Sequence, residues 1–594
     1  MKLLKLKYLI VVLIVSTFSI QSCADLSVDN LNEPDRDAVL SDVENTLKLL
    51  NGAYQQVFAG VVTSWAVAPH MLADQATSTN LFRQYWDFAE EPRMRMNNTT
   101  SYSATSSFSA YWGAMNSGIA TANILIDAIV NDGQEFISDG VDVTDQVLAQ
   151  AYFIRGIARG YLGLIYDQAY LVDENTDLTQ DPTSFEFSPY SDLIDAAVDD
   201  IVNAVTVANN APNFQLNTMP NAADSWNFAQ FSDIAHSYAA KFSAGKARSA
   251  DEAATLNWGE ILSLANKGLG GPEALSSIPD FTARNVGSDG TFANYMADWL
   301  NFVVTCGSSG LSSCAGYNPV DIKMAHMLDP DYPTEYPAEL AGATAGLEPA
   351  ESDDPRLEYF VYTTNPGFLN PNRNANLYTN YFSLRFFANN DWWPSSYGVT
   401  LFTSVENDLL RAEASLMSSG NAVDAAQILN DTPAGTGVME LSIDLPANQI
   451  GFIDYNGLSG GHNYLGTESI PEIQWALLRE YSIEIDQLGG VGTQWFFMRR
   501  HDLLQAGTPN HFAVPGSELE LLQRENYTFG GVDFAGDPGT ASGSNSWKNL
   551  AEQVFGGPLP TVGENAEAAG KYRPYMGSDI PAPTYSGNET RRNQ

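Results

Sequence analysis

Two tryptophans stand side by side in Asn389-Asn390-Asp391-Trp392-Trp393-Pro394, with amide and carboxylate side chains before them. Such a set suits the holding of a neutral sugar. A pyranose presents apolar C–H faces that stack on flat rings, at roughly 0.5–1.5 kcal/mol each, and hydroxyls that need Asn, Asp, Gln or Arg partners. Pro394 discourages a helix through the pair, and adjacent side chains of an extended segment point to opposite faces, so Trp392 and Trp393 cannot both face one core. The competing reading, in which both wedge between loop and scaffold, stays open. A second segment has the same make-up: Phe82-Arg83-Gln84-Tyr85-Trp86-Asp87, followed by Arg93, Arg95, Asn97 and Asn98. The candidate ligand residues are thus Asn390, Asp391, Trp392, Trp393, Arg83 and Trp86, with Trp299 beside Tyr295 as a weaker one.

Catalytic patterns are missing where they would be recognisable. There is no His-Glu-x-x-His and no Gly-x-Ser-x-Gly, and Gly490-Val491-Gly492 lacks the third glycine and the preceding strand of a dinucleotide loop. A hydrolase pair cannot be chosen among 71 carboxylates. His70, His236, His326, His462, His501 and His511 are scattered singly, so no metal site and no cofactor is expected, with a structural calcium left open.

Lys2, Lys5 and Lys7 precede an uncharged stretch from Tyr8 that reaches Cys23 through Leu9-Ile10-Val11-Val12-Leu13-Ile14-Val15, the layout of a secretory signal. Its apolar part is shorter than the ~20 residues that a bilayer core needs. Ser19-Ile20-Gln21-Ser22 suits signal peptidase II, which makes residues 1–22 a signal peptide and Cys23 a lipidated first residue. The acyl chains carried there anchor the protein to a membrane without spanning it. Residues 23–34 read as a tether, and 35–594 as one helical domain with loop-rich insertions at about 270–400 and after about 505. In an oxidising space Cys306 and Cys314, eight positions apart in a Gly/Ser-rich loop, are candidates for a local disulfide, and the sequence alone leaves it even. With 71 acidic against 29 basic residues and a net charge of −42, nucleic acid is no partner.

The elements that position these loops are helical. Val39, Val43, Leu47, Leu50, Tyr54 and Val57 recur at three or four residues after Ser41-Asp42-Val43-Glu44, which has capping-box spacing. Trp112 to Ile129 and Val147 to Ile165 make two further stripes, and Tyr190 to Ala208, Phe231 to Lys246 and Trp258 to Gly268 continue the pattern. Val405 to Leu416 turns through Ser418-Ser419-Gly420-Asn421 into Ala422 to Asn430, a tight helical hairpin. The expectation is a mainly α, tetratricopeptide-like scaffold of helical pairs, with long irregular loops and a few short strands.

In order along the chain, several segments resemble one family. They are Leu50-Asn51-Gly52-Ala53-Tyr54, Leu72-Ala73-Asp74, Ala149 to Arg155, Asp354-Pro355-Arg356-Leu357, Leu410-Arg411-Ala412-Glu413-Ala414, Leu478 to Glu484 and Trp495 to Arg500. Their succession is similar to that of the SusD/RagB outer-membrane nutrient-binding lipoproteins of Bacteroidetes, although Arg479-Glu480 reverses the usual order and Met498 replaces an Asp-Leu pair. The resemblance implies a cell-surface protein held by outer-membrane lipid through Cys23, without catalysis. It would sit as a lid on a SusC-like TonB-dependent transporter and deliver glycan to it. It also adds Asp74 to the candidate ligand residues. A peptide-binding member, a structural or adhesin lipoprotein and, last, a glycoside hydrolase are the alternatives. Arg411, Glu413, Arg479, Glu480, Glu484, Arg499 and Arg500 lie close to apolar helix faces, so they are expected to be paired within the scaffold.

Overall fold

The computed structural model describes residues 36–62, 67–78, 84–217, 225–283, 305–306, 314–315, 319–336, 345–347, 349–354, 356–357, 360–362, 379, 381–383, 399–431, 464–486, 488–560 and 572–574. Contacts divide the chain into residues 1–46 and 47–594. The first unit holds α1 (Arg36–Leu40) and the opening turn of α2 (Val43–Val61). The single predicted helix is therefore two. The break falls at Ser41-Asp42 because the Asp42 carboxylate accepts the Glu44 amide at 2.9 Å and caps a new helix.

In the second unit, α2 buries Leu50, Tyr54 and Val57, and the short α3 (Val67–Leu72) and α4 (Trp86–Ala89) follow. The long helices then come in neighbouring pairs: α5 (Ser106–Val130), α6 (Thr144–Ile165), α7 (Tyr190–Asn210) and α8 (Phe228–Gly245) pack each on the next. By length and composition α5 could cross a membrane, but its inner face, including Trp112, Met115, Ile119 and Ile126, is buried in this helical stack.

Glycines on α6 set how closely its neighbours approach. A Cβ at Gly160 would lie 2.3 Å from the Phe242 ring of α8, one at Gly156 2.8 Å from Ile201, and one at Gly163 2.9 Å from Ile194, both on α7. Spaced at four and three residues, they form one flat face on which two helices rest. After the short α9 (Ala250–Ala253), α10 (Trp258–Asn266) packs on α12 (Ser404–Ser419), with α11 (Ile322–Leu328) between them in sequence. Gly420, at φ 70°, ends α12 and its amide returns to Leu416 O, so the chain doubles back into α13 (Ala422–Asp431) as the turn signals predict.

The loop-rich stretch supplies short antiparallel pairs, among them Asp280–Ala283 with Val399–Thr403, Phe360–Tyr362 with Tyr381–Ser383, and Thr305–Cys306 with Cys314–Ala315. The chain continues through α14 (Ile470–Ile483), α15 (Thr493–Arg500), α16 (Gly516–Leu521) and α17 (Trp547–Phe555). The architecture is mainly α with small two-stranded sheets, as the periodicity predicts.

The charged motif residues are buried in partnerships. Arg500 grips Glu413 through Nε and Nη2 at 2.5 and 2.6 Å, and His501 Nε2 lies 2.7 Å from the same carboxylate. Burial pushes Glu413 up, but Arg500 and His501 outweigh it and hold the carboxyl at about 2. Among the described residues no carboxylate meets the Arg499 guanidinium; it donates to Leu164 O at 2.7 Å and Gly245 O at 3.0 Å, the carbonyl ends of α6 and α8, where the helix dipoles favour a cation.

Candidate binding site

Of the residues singled out for ligand contact, Asn390, Asp391, Trp392, Trp393, Trp299 and Arg83 lie outside the described residues, as does Cys23. The side chains of Cys306 and Cys314 do too, although their backbones stand directly opposite one another. Asp74 and Trp86 are described, and both are beneath the surface, at 1% and 3% exposure. Trp86 is drawn under by α4, in which Phe88 and Ala89 are buried with it.

The loop that carries Trp86 is built around a guanidinium. Arg93 donates from Nη1 to Phe88 O at 3.0 Å and from Nε to Thr508 Oγ1 at 3.2 Å, and its Nη2 pairs with Asp74 Oδ1. Asp74 follows α3 in the left-handed region, φ 54°, and its other oxygen accepts Trp547 Nε1 at 3.0 Å. Residues 88–93 thus curl over a pin that reaches α17 and the segment after α15.

Two more carboxylates meet Asp74 here, since ligand oxygens of Asp74, Glu91 and Asp321 all lie within 4.8 Å of one another. Their partners are in place. Asp321 caps α11, accepting Lys323 N at 2.8 Å and Tyr336 Oη at 2.7 Å, and Glu91 accepts Gln505 Nε2 at 2.7 Å. Arg93, Lys323 and Lys548 offset the charge of the three acids, which makes this a buried ionic network. Lys323 Nζ also donates to Ala73 O. Burial, then Asp74 and Glu91, push Asp321 up to about 7, and burial lowers Lys323 to about 8. In the loop above, Glu90 is raised to about 7 by burial and by Asp87.

Outside this network the loop presents a platform. Arg95 stacks its guanidinium 4.1 Å above the Phe534 ring, and Phe534, Val532 and Met94 are 37, 41 and 50% exposed. The backbone holds them side by side: Arg95 and Gly530 form an antiparallel bridge, Met96 N donates to Phe529 O at 3.1 Å and Val532 N to Arg93 O at 2.9 Å. Gly531 sits at φ 98° with Arg95 only 3.1 Å from where a Cβ would stand, so glycine is required. The Asn98 amide closes the arrangement, donating to Val514 O at 2.9 Å and to Asn526 Oδ1 at 3.0 Å. Phe534, Tyr527 and Asn526 were not among the residues that sequence reasoning singled out. Their signal was the one used for residues 82–98, aromatics in a loop beside amides.

Compared with solved structures, the chain aligns with a SusD superfamily protein from Parabacteroides distasonis at TM-score 0.50 and 12% identity, covering 81% of this chain and 97% of that one. A SusD superfamily protein from Bacteroides vulgatus aligns at 0.50 and 13% over 81% and 97%. A SusD-like protein from Bacteroides fragilis aligns at 0.50 and 14% over 78% and 87%. The fold is SusD-like. At these identities the likeness concerns the backbone, and no family model or curated protein matches the sequence. The Arg93 network ties the loop of Trp86 and Arg95 to α11, α17 and the segment after α15.

Proposed function

We propose that this protein is a non-catalytic, lipid-anchored binder of glycan at the outer-membrane surface. In this reading Cys23 carries the lipid, and the cargo passes to a SusC-like TonB-dependent transporter. The observation that supports it most is the exposed Arg95–Phe534 platform on a loop of a SusD-like fold, because an aromatic face with guanidinium and amide neighbours matches the two-sided chemistry of a sugar. Trp392, Trp393, Asn390, Asp391, Arg83 and Trp299 are proposed as further contacts, with Asp74 and Trp86 supporting the loop from beneath. Two or three stacks with a few hydroxyl contacts give a dissociation constant of roughly micromolar to millimolar order. Capture of that strength suits a protein that must release what it holds.

The test is calorimetry on the protein begun at residue 24, against a panel of neutral and anionic polysaccharides and a panel of peptides, repeated with Trp392→Ala and Trp393→Ala. Binding of one glycan that either substitution abolishes is the expected result. Binding confined to peptides turns the reading to peptide capture, and silence on both panels turns it to a structural lipoprotein.

A further inference from the structure

We infer that Arg248, Arg499 and His511 form a buried site for one small monovalent anion of chloride size, where α6 ends against the segment that follows α15. All three side chains are withdrawn from solvent, at 3, 1 and 8% exposure. They come from separate parts of the chain: Arg248 precedes α9, Arg499 lies in the last turn of α15, and His511 lies in the loop after it. The backbone draws them together. Arg248 Nη2 donates to Gly163 O and, at 2.9 Å, to Tyr166 O, and Arg499 Nη1 donates to Leu164 O at 2.7 Å, so both guanidiniums rest on the carbonyl end of α6. Arg499 Nη1 also donates to Asn510 O at 2.8 Å, and Phe512 N donates to Ile165 O at 2.8 Å, which holds His511 between the two attachments. Tyr190 lies among them, with the Arg248 guanidinium 3.8 Å over its ring and the His511 ring 6.3 Å from it.

Among the described residues, Nε and Nη1 of Arg248, Nε of Arg499 and both ring nitrogens of His511 meet no hydrogen-bond partner. A buried N–H without an acceptor destabilises the fold, and a buried guanidinium ordinarily finds a carboxylate, the more so in a chain with 71 acidic residues against 29 basic. The acids in the neighbourhood are engaged elsewhere. Glu252 Oε2 accepts Arg248 N at 2.8 Å and Tyr190 Oη at 3.0 Å, Asp167 accepts Tyr527 Oη at 2.8 Å, and Asp502 Oδ1 accepts Ala250 N at 3.2 Å. The carbonyls of α6 supply only partial charge, and the cations repel one another: burial lowers Arg248 to about 10, while burial, Arg248 and Arg500 hold Arg499 well below its ordinary value. Burial and the two arginines push His511 well below the usual imidazole range, so it is a neutral ring with one N–H to give. An anion among the three accepts from both guanidiniums and from that ring, and it cancels their repulsion. Size selects the ion. The packing is close, with His511 Nε2 only 2.6 Å from where a Cβ on Gly539 would stand, which suits a single-atom anion and not phosphate or sulfate.

The experiment follows thermal unfolding of the protein begun at residue 24 in sodium chloride and in sodium gluconate at equal ionic strength, gluconate being too large for the site. The expected result is a melting temperature higher by roughly 2 °C in about 100 mM chloride, the shift that millimolar affinity gives to a chain of this length. Arg248→Met and His511→Phe, which remove the unpartnered nitrogens, are each expected to lose that difference. An identical melting temperature of the parent in both salts overturns the site, and so does a chloride difference that survives in a folded variant. If neither variant folds, crystals of the parent grown in sodium bromide decide. An anomalous peak bounded by Arg248, Arg499 and His511 upholds the site, and no peak there overturns it.

Discussion

Arg356 Nη1 lies 2.6 Å from Glu480 Oε2 and 2.6 Å from Glu484 Oε1, with all three side chains withdrawn from solvent. Asp354, two residues away, takes the rest of the guanidinium, with Oδ2 2.7 Å from Nη2 and Oδ1 3.0 Å from Nε. Arg479 adds a second cation to Glu480 at 2.8 Å. One guanidinium therefore fastens the 354–356 segment of the loop-rich region to α14. Burial alone would discharge Arg356, yet Glu480, Glu484 and Asp354 together raise it well above its ordinary value.

Replacing Arg356 with Met would take from three buried carboxylates the guanidinium they share. Breaking a buried ion pair from one side costs about 3–5 kcal/mol. The expected outcome is a loss of that size in urea unfolding, with Arg356→Lys nearly as damaging because an ammonium cannot supply the fork that meets several carboxylates. A variant within 1 kcal/mol of the parent, on the order of an ordinary surface substitution, would mean that the network relaxes and is not what holds the segment.

These pairings mark the limit of what the sequence discloses. The helices were legible because Trp112 to Ile129 and Val147 to Ile165 repeat at the helical period over several turns, and the buried charges because Glu413, Glu480 and Arg500 interrupt apolar faces. Which charge meets which was not legible. Arg93 and Asn98 belong to a stretch that reads as ligand-facing, yet Arg93 turns in towards Asp74 and Thr508, and Asn98 spends its amide on Val514 and Asn526. Partners lying more than 400 positions along the chain have no local signature. Trp86 shows the same limit on a smaller scale, since a four-residue helix is too short to give a period and yet folds the ring under.

Asp321 gives stability a dependence on pH. Its folded value is about 7 against 3.8 for a free carboxyl, so between these the native protein holds a proton that the unfolded chain has released. The contribution is fully present below pH 3.8 and is lost as the pH rises through about 7. Lys323 acts in another window: with its folded value near 8 against 10.5, the native state binds fewer protons there and stability recovers as pH climbs from 8 to 10.5. Asp321→Asn removes the first effect and keeps an acceptor for Tyr336. The melting temperature of Asp321→Asn relative to the parent should therefore increase steadily between pH 4 and pH 7. A difference that stays flat over that range would mean that Asp321 is ionised in the folded protein throughout.

Cys306 stands opposite Cys314 in a two-stranded antiparallel pairing, with Thr305 opposite Ala315. Residues so paired have Cα atoms about 4.5 or about 5.5 Å apart, and both spacings fall within the ~4.4–6.8 Å over which a disulfide closes without moving the backbone. We propose that the two are bridged in the exported protein. The chain has three cysteines, so a protein begun at residue 24 carries only these two and makes the measurement unambiguous. Thiol titration under denaturing conditions should find none free after export to an oxidising compartment. Reduction should then expose both and lower the melting temperature, since closing so short a loop restrains the unfolded chain by roughly 2–3 kcal/mol. Two thiols titrating before reduction would show an open hairpin, held by its backbone pairing alone.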